Sequence, residues 1–402
     1  MENILEMESR ACFDFFWNEA NSDKSSPGFG LVRDKSANGS ENMASIASVG
    51  FGLSAIVIGV ERGYISKAEG TQRVCGTMST FLNNAENEFG FFYHFLDMHT
   101  ALKYEKSYDC ASIIDTSIFI NGALTASQYF GGDIADMFED VYGRINWRKY
   151  YNAERNVYYM GYRHESGGFG AWDMYAEQMM QYILGVASSS NPVPPKIYSG
   201  FKRELGKYGE YEFYNSPGGA LFIHQFSHAW YDFKGKTDTD STDWFANSIT
   251  ASRASMQYSV DNPKGFKTLH KDAWGLTACQ GPNGYRAYGT PPFHPNCKDI
   301  NDGTVAPCGA IGSIIFTPEE TISAMNYYRG LPGMFGKYGF MDAYNVDLGW
   351  MCDFVIGIDK GISLLMIENH RTDLIHSLYM ENKYIKKATE ILGFEKATVS
   401  RG

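Results

Sequence analysis

The chain has 402 residues, 44% of them hydrophobic and 20% charged, which is enough apolar material for one large core or two ordinary domains. A formal net charge of -11 without a clustered basic face excludes a nucleic-acid binder, because phosphate neutralisation needs such a face. No apolar run reaches membrane-spanning length, and the first ten residues lack a basic segment followed by an apolar core, so the expected compartment is the cytoplasm, or the periplasm had an export leader been removed.

Helical periodicity begins at Ile4 to Glu19 and recurs over Ala44 to Arg62, Lys67 to Glu86, Ser112 to Phe130 and Ala135 to Ile145. It continues over Ala171 to Ala187, Gly219 to Phe233, Trp244 to Val260, Thr317 to Arg329, Ile358 to Tyr379 and Asn382 to Leu392. Ser66, Asp243 and Thr317 precede apolar runs as N-caps, and Pro318 suits a first helical position. Two connections, Asn191 to Pro217 and Asn262 to Pro307, are too long for a simple bundle and hold most of the prolines. About a dozen helices with no linker, charge block or low-complexity segment predict one all-α domain over residues 1–402, a closed toroid with an inner ring of helices on an outer ring.

Seven cysteines, Cys12, Cys75, Cys110, Cys279, Cys297, Cys308 and Cys352, are odd in number and show no C-x-x-C spacing. Neither a disulfide framework nor a zinc ribbon is indicated, and free thiols are expected.

The run Ala171 to Gly185 sets Asp173 and Glu177 among Trp172, Tyr175 and Tyr182, and Ile113 to Ile120 places Asp115 inside another apolar stretch. An Asp near a helix start also caps free backbone N–H groups, so Asp115 alone is ambiguous. Glu177 reads as lying about a turn and a half inside its helix, where capping is less available. Two isolated acids on two apolar helices suit glycoside hydrolysis, which needs one carboxyl held protonated and another ionised. Apolar aromatic neighbours raise a Glu towards the range of a general acid, whereas the first turn of a helix favours an ionised Asp115 as the base. Tyr and Trp faces also stack on sugar rings.

His224 and His228, four residues apart, have metal-ligand spacing on a helix, but no Glu completes H-E-x-x-H and no Cys lies nearby in sequence. Contacts to substrate hydroxyls or core hydrogen bonds are the expected roles, and no metal or other cofactor is expected. The glycine-rich stretch Pro27 to Asp34 lacks a phosphate-loop Lys and a third Gly at dinucleotide spacing; Arg33 and Asp34 in it either meet a ligand or pair with each other. No G-x-S-x-G elbow occurs. Many of the 27 Tyr lie in glycine-rich stretches such as Gly284 to Gly289, which also carries Arg286, and read as contact surfaces on loops.

Several separate motifs occur in one order: Ala47 to Leu53, Gly90 to Asp97, Ile114-Asp115-Thr116, Tyr175-Ala176-Glu177, His224 to Trp230, Trp274 to Ala278, Asp302 to Pro307 and Ile367 to Thr372. With them, from about Phe29 to about Met380, the chain resembles the glucoamylase-like family that contains glycoside hydrolase family 144, the bacterial β-1,2-glucanases. The resemblance implies an (α/α)6 toroid, no required cofactor, and hydrolysis of β-1,2-glucan or sophoro-oligosaccharides with inversion at the anomeric carbon. The alternative is a carbohydrate-binding or transglycosylating relative acting on another β-glucan. Glu177 matches the family's Y-S-E acid and carries over as general acid, with Ala176 where Ser is frequent. Asp115 matches the I-D-T acid, while Asp359, before Lys360 where Gln is frequent, and Asp342 also match family motifs and compete for the role of base. The expected catalytic set is thus Glu177, Asp115 and Asp359. The expected substrate contacts are Arg33, Tyr93, His94, Trp172, Asp173, Tyr175, His224, His228, Arg286, Asp302, Asp342, Tyr344 and Asn345. An oligosaccharide or polysaccharide is the expected partner.

Overall fold

Helices alternate along the chain between two burial patterns, and that alternation sets the architecture. The computed structural model describes residues 2–105 and 110–396. Among them α1 (Glu2–Asn18), α2 (Ile46–Glu61), α3 (Lys67–Asn83), α4 (Ile113–Phe130), α5 (Gly132–Arg144) and α6 (Met179–Ala187) build the first half. The second half holds α7 (Trp244–Asp261), α8 (Pro307–Ile311), α9 (Pro318–Gly330), α10 (Gly357–Thr372), α11 (Leu374–Glu381) and α12 (Lys383–Ile391).

α2, α4, α6, α8 and α10 are buried on nearly every face, as their apolar sequences require. α3 buries Gly70, Val74, Met78 and Phe81, and α5 buries Ile134, Phe138, Val141 and Tyr142, each a single stripe at helical spacing. The second kind forms the outer layer and the first the inner layer. Two 3-10 turns, Leu221–His224 and Phe226–Ala229, are buried like the inner helices and supply the sixth inner element. The result is an (α/α)6 toroid.

Close approach inside the ring depends on glycine. A Cβ on Gly122 of α4 would collide with the Gly50 carbonyl of α2, so these helices meet backbone to backbone there, and one on Gly361 of α10 would collide with the Phe51 ring, which packs flush on the α10 backbone.

Short antiparallel ribbons lead the chain into the inner ring. Met43–Ser45 pairs with Phe95–Asp97 just before α2, and Ala111–Ser112 pairs with Gly161–Arg163 just before α4. Ser45 and Ser112 then cap these helices through Ser48 N and Asp115 N. The two long connections fold into hairpins, Leu205–Tyr208 with Tyr211–Tyr214 and Ala278–Gly281 with Gly284–Ala287.

Several sequence expectations are corrected here. The stretch from Ala171 becomes helical only at Met179, because Asp173 O accepts from Lys202 N at 2.9 Å and Tyr175 N donates to Lys202 O at 3.1 Å, which holds the chain extended. The stretch from Gly219 to Phe233 is no α-helix: two short 3-10 turns meet at Gln225, whose side-chain amide donates to Gly309 O at 2.8 Å. Asp373, at φ 60°, separates α10 from α11, and five-residue α8 lies at the end of a stretch read as loop. Ser66 forms a full capping box with Glu69 and Asp243 caps Ala246 N, whereas Thr317 makes no side-chain cap bond.

Candidate active site

Three inner-ring elements bring acids at or just ahead of their starts to one cavity. Asp115 enters from the first turn of α4 and Asp359 from the first turn of α10, while Glu177 stands just ahead of α6, whose N-cap position is Gln178. A cavity of about 200 Å³ is lined by all three acids, by His94, which directly precedes the Phe95–Asp97 strand, and by Phe222, Phe226 and Tyr285. Ala47, Ile114, Ile118, Ala278 and Ile358 complete its apolar walls.

Each carboxyl sits in a different electrostatic setting. Burial pushes Glu177 from 4.5 to about 7, and the nearby charge of Asp115 adds to the effect. Ser227 Oγ fixes the backbone there, donating to Glu177 O at 2.8 Å and accepting from Met180 N at 3.2 Å. Asp115 Oδ2 accepts a short hydrogen bond from Ser112 Oγ, and its Oδ1 lies 3.5 Å from His94 Nε2. Its place in the first helical turn favours negative charge.

Asp359 is paired with Asp342, and both are buried. Asp342 Oδ1 and Asp359 Oδ2 are buried without a hydrogen-bond donor, a setting that disfavours ionisation of both carboxyls at once. Burial and repulsion from Asp342 raise Asp359 well above the carboxylate range, and burial raises Asp342 as well, against the hydrogen bond from Gln280 N. The pair therefore holds one proton and one negative charge.

Asp34 was not singled out as an acid of this site. Its carboxyl is raised by burial, lowered by His94 and raised again by Asp115, which places it within electrostatic reach of both. The signal in the sequence was the alternation of Arg33 and Asp34 across an extended segment, which sends neighbouring side chains to opposite sides. Arg33 accordingly turns away from Asp34, binding Glu19 Oε2 at 2.6 Å and Ala37 O at 2.9 Å.

The remaining expected contacts lie at varying remove from this cavity. Tyr93 is buried, its hydroxyl 3.2 Å from Glu88 Oε1. Trp172 is buried and Asp173 forms a partly exposed ion pair with Arg155 at 2.5 Å. Tyr175 stacks on Trp244 with centroids 4.7 Å apart, and its hydroxyl is 3.4 Å from His224 Nδ1. Burial pushes His224 to about 3 and His228 well below its ordinary value, so both are neutral. His228 Nε2 contacts Ser248 Oγ at 3.0 Å; the break at Gln225 sends the two rings to different partners, so they do not form the helical i,i+4 pair expected from their spacing. Arg286 is exposed on its hairpin. Asp302 accepts from Tyr288 Oη at 3.0 Å, Asn345 Nδ2 donates to Asp302 O at 3.0 Å, and Tyr344 is buried beside them. Among the described residues no group of three or more His, Cys, Asp and Glu side chains could hold a metal ion, and no helix is long and apolar enough to cross a membrane.

A family model described as "Putative glucoamylase" matches residues 170–383. The chain belongs to this glucoamylase-like family. It is 28% identical over 431 residues to the exo β-1,2-glucooligosaccharide sophorohydrolase (non-reducing end) of Parabacteroides distasonis, covering 97% of this chain and 57% of that protein. The chain thus spans little more than half the length of that curated relative. Among solved structures it is similar to the endo-β-1,2-glucanase of Chitinophaga pinensis in complex with sophorotriose and glucose, at 26% identity and a TM-score of 0.87, covering 98% of each chain. It is also similar to the β-1,2-glucanase of Parabacteroides distasonis, at 26% identity and a TM-score of 0.88, covering 98% of this chain and 60% of that one.

Proposed function

We propose that this chain hydrolyses β-1,2-linked glucan or its sophoro-oligosaccharides with inversion at the anomeric carbon. The observation that carries the reading is the gathering of Glu177, Asp115 and Asp359 at one cavity, with Glu177 held at about 7 by burial. A carboxyl with that proton affinity is still about half protonated near neutral pH and can protonate the leaving glycosidic oxygen. Asp115, which accepts from Ser112, takes the proton of the attacking water. The single negative charge of the Asp342–Asp359 pair faces the positive charge that develops at the anomeric carbon. Similarity to a sophorohydrolase and to two β-1,2-glucanases supports the choice of linkage.

Incubation with β-1,2-, β-1,3- and β-1,4-glucans tests it. Release of short products from the β-1,2-glucan alone, first seen as the α-anomer by proton NMR, is expected; a first-formed β-anomer would show retention, and cleavage confined to another linkage would refute the substrate.

A further inference from the structure

Behind the cavity floor lies a buried ion pair with no direct place in the chemistry above. Lys360 Nζ binds Glu8 Oε1 at 2.6 Å, and the two side chains are 4% and 0% exposed. Lys360 Nζ also donates to Phe340 O at 2.9 Å, while Phe340 N donates to Glu8 Oε2 at 3.0 Å. Both backbone polar groups of Phe340 are therefore held by the same ion pair, and Cys12 Sγ donates to Glu8 Oε1 at 3.2 Å from the next turn of α1. Gly339 completes the fit, since a Cβ there would strike the Glu8 carboxylate.

The positions of these residues in the chain give the clamp its meaning. Lys360 follows Asp359 directly, and Phe340 precedes Asp342 by two residues. The ion pair thus ties together the two segments that carry the facing carboxyls. A buried ion pair contributes little net stability compared with apolar residues of the same volume, so its retention asks for another reason.

We propose that Glu8 and Lys360 are positioning residues for the Asp342–Asp359 pair, fixing the two acid-bearing segments against each other and keeping the pair at one negative charge. The inference rests on the reading of this cavity as the hydrolytic centre. Lys360 is the cation beside the pair and favours its charged form; Glu8, bound to that cation, partly offsets it. The other groups facing the pair are the thiols of Cys308, Cys279 and Cys352, the Tyr285 hydroxyl and Asp34. Burial pushes Cys279 and Cys308 up, so these two thiols stay neutral.

Two charge-neutralising substitutions of one ion pair then shift the titration in opposite directions. Lys360→Gln removes the cation, so the pair takes its second proton at higher pH and the acid limb of kcat/KM moves up by about half to one pH unit. Glu8→Gln leaves the cation less neutralised, and the acid limb moves down. Loss of packing alone gives shifts of one sign or none, so an unshifted limb, or the same sign in both variants, overturns the inference. Melting temperature against pH supplies a readout independent of turnover. The double variant Glu8→Gln/Lys360→Gln should lose more stability than Glu8→Gln as pH rises from about 4 to 7, because without the cation the folded pair is the weaker acid and no buried Glu8 is left to titrate, and an equal loss at every pH overturns the inference. If the parent leaves β-1,2-glucan intact, the functional reading fails while this melting comparison still decides the clamp. Should Lys360→Gln not fold, Glu8→Gln still tests the sign, and the charge-neutral double variant Glu8→Gln/Lys360→Gln should return the limb towards the parent.

Discussion

Glu177→Gln separates what this acid does for the reaction from what it costs the fold. Burial raises Glu177 from 4.5 to about 7, so the folded protein binds a proton there that the unfolded chain has already released. Stability is therefore fully present below about 4.5 and declines as pH rises to about 7. At about 1.4 kcal/mol per pH unit the loss reaches about 3 kcal/mol, an upper figure because the cavity admits solvent. With about 2.1 cal/mol/K of unfolding entropy per residue over 402 residues, that corresponds to about 4 °C. Gln keeps the shape and carries no charge, so the variant and the parent should melt together near pH 4 and the variant should melt up to about 4 °C higher at pH 8. Turnover should fall about 10²-fold or more while KM stays nearly constant, because proton donation is realised in the transition state. Calorimetric melts across pH, paired with initial rates on a sophoro-oligosaccharide, check both halves. A melting difference that does not change with pH would refute the raised proton affinity, and unchanged turnover would remove Glu177 from the mechanism.

Asp115→Asn should lower kcat by about 10²-fold, measured beside Asp359→Asn on the same substrate; a loss confined to Asp359→Asn reassigns the base. In the parent, the alkaline limb of kcat/KM should fall near the Glu177 value of about 7, since Glu177 must be protonated to act, and a rate still rising at pH 9 would contradict the assignment. Gly122→Ala should cost about 1–3 kcal/mol in a denaturant titration or leave no folded protein, because the added methyl meets the Gly50 carbonyl. Chelator treatment should leave the rate unchanged, and loss of activity restored by a divalent ion would direct attention back to His224 and His228.

The sequence reveals the ring best where an apolar run is long and unbroken, as in α2 and α4. It fails where length or backbone geometry overrides the pattern. α8 has five residues and completes too few turns for a period to register. The stretch from Ala171 has a helix-like pattern, yet its backbone pairs with Lys202, a partner that no local window contains. That pairing moves Glu177 from a helix interior to the mouth of an inner element, beside the first-turn acids Asp115 and Asp359.

The same limit explains why the acids were legible and their supports were not. An acid set in an apolar run is a local anomaly, and Asp115 and Glu177 are each visible as one, whereas Asp359 stands out only through its likeness to a family motif. Glu8 offers neither signal: it lies on an outer helix rich in acids, and its partner Lys360 is 352 residues away. Lys360 reads from sequence as a change at a position where related chains favour Gln, with nothing to say that its charge is enclosed. In the fold that charge lies next to the buried Asp342–Asp359 pair and favours its ionised form. A chain with Gln at this position lacks the cation that offsets repulsion within the pair, so its carboxyls should take up their second proton at higher pH, other neighbours being equal. Lys360 therefore extends the acidic side of the range in which this pair retains its charge.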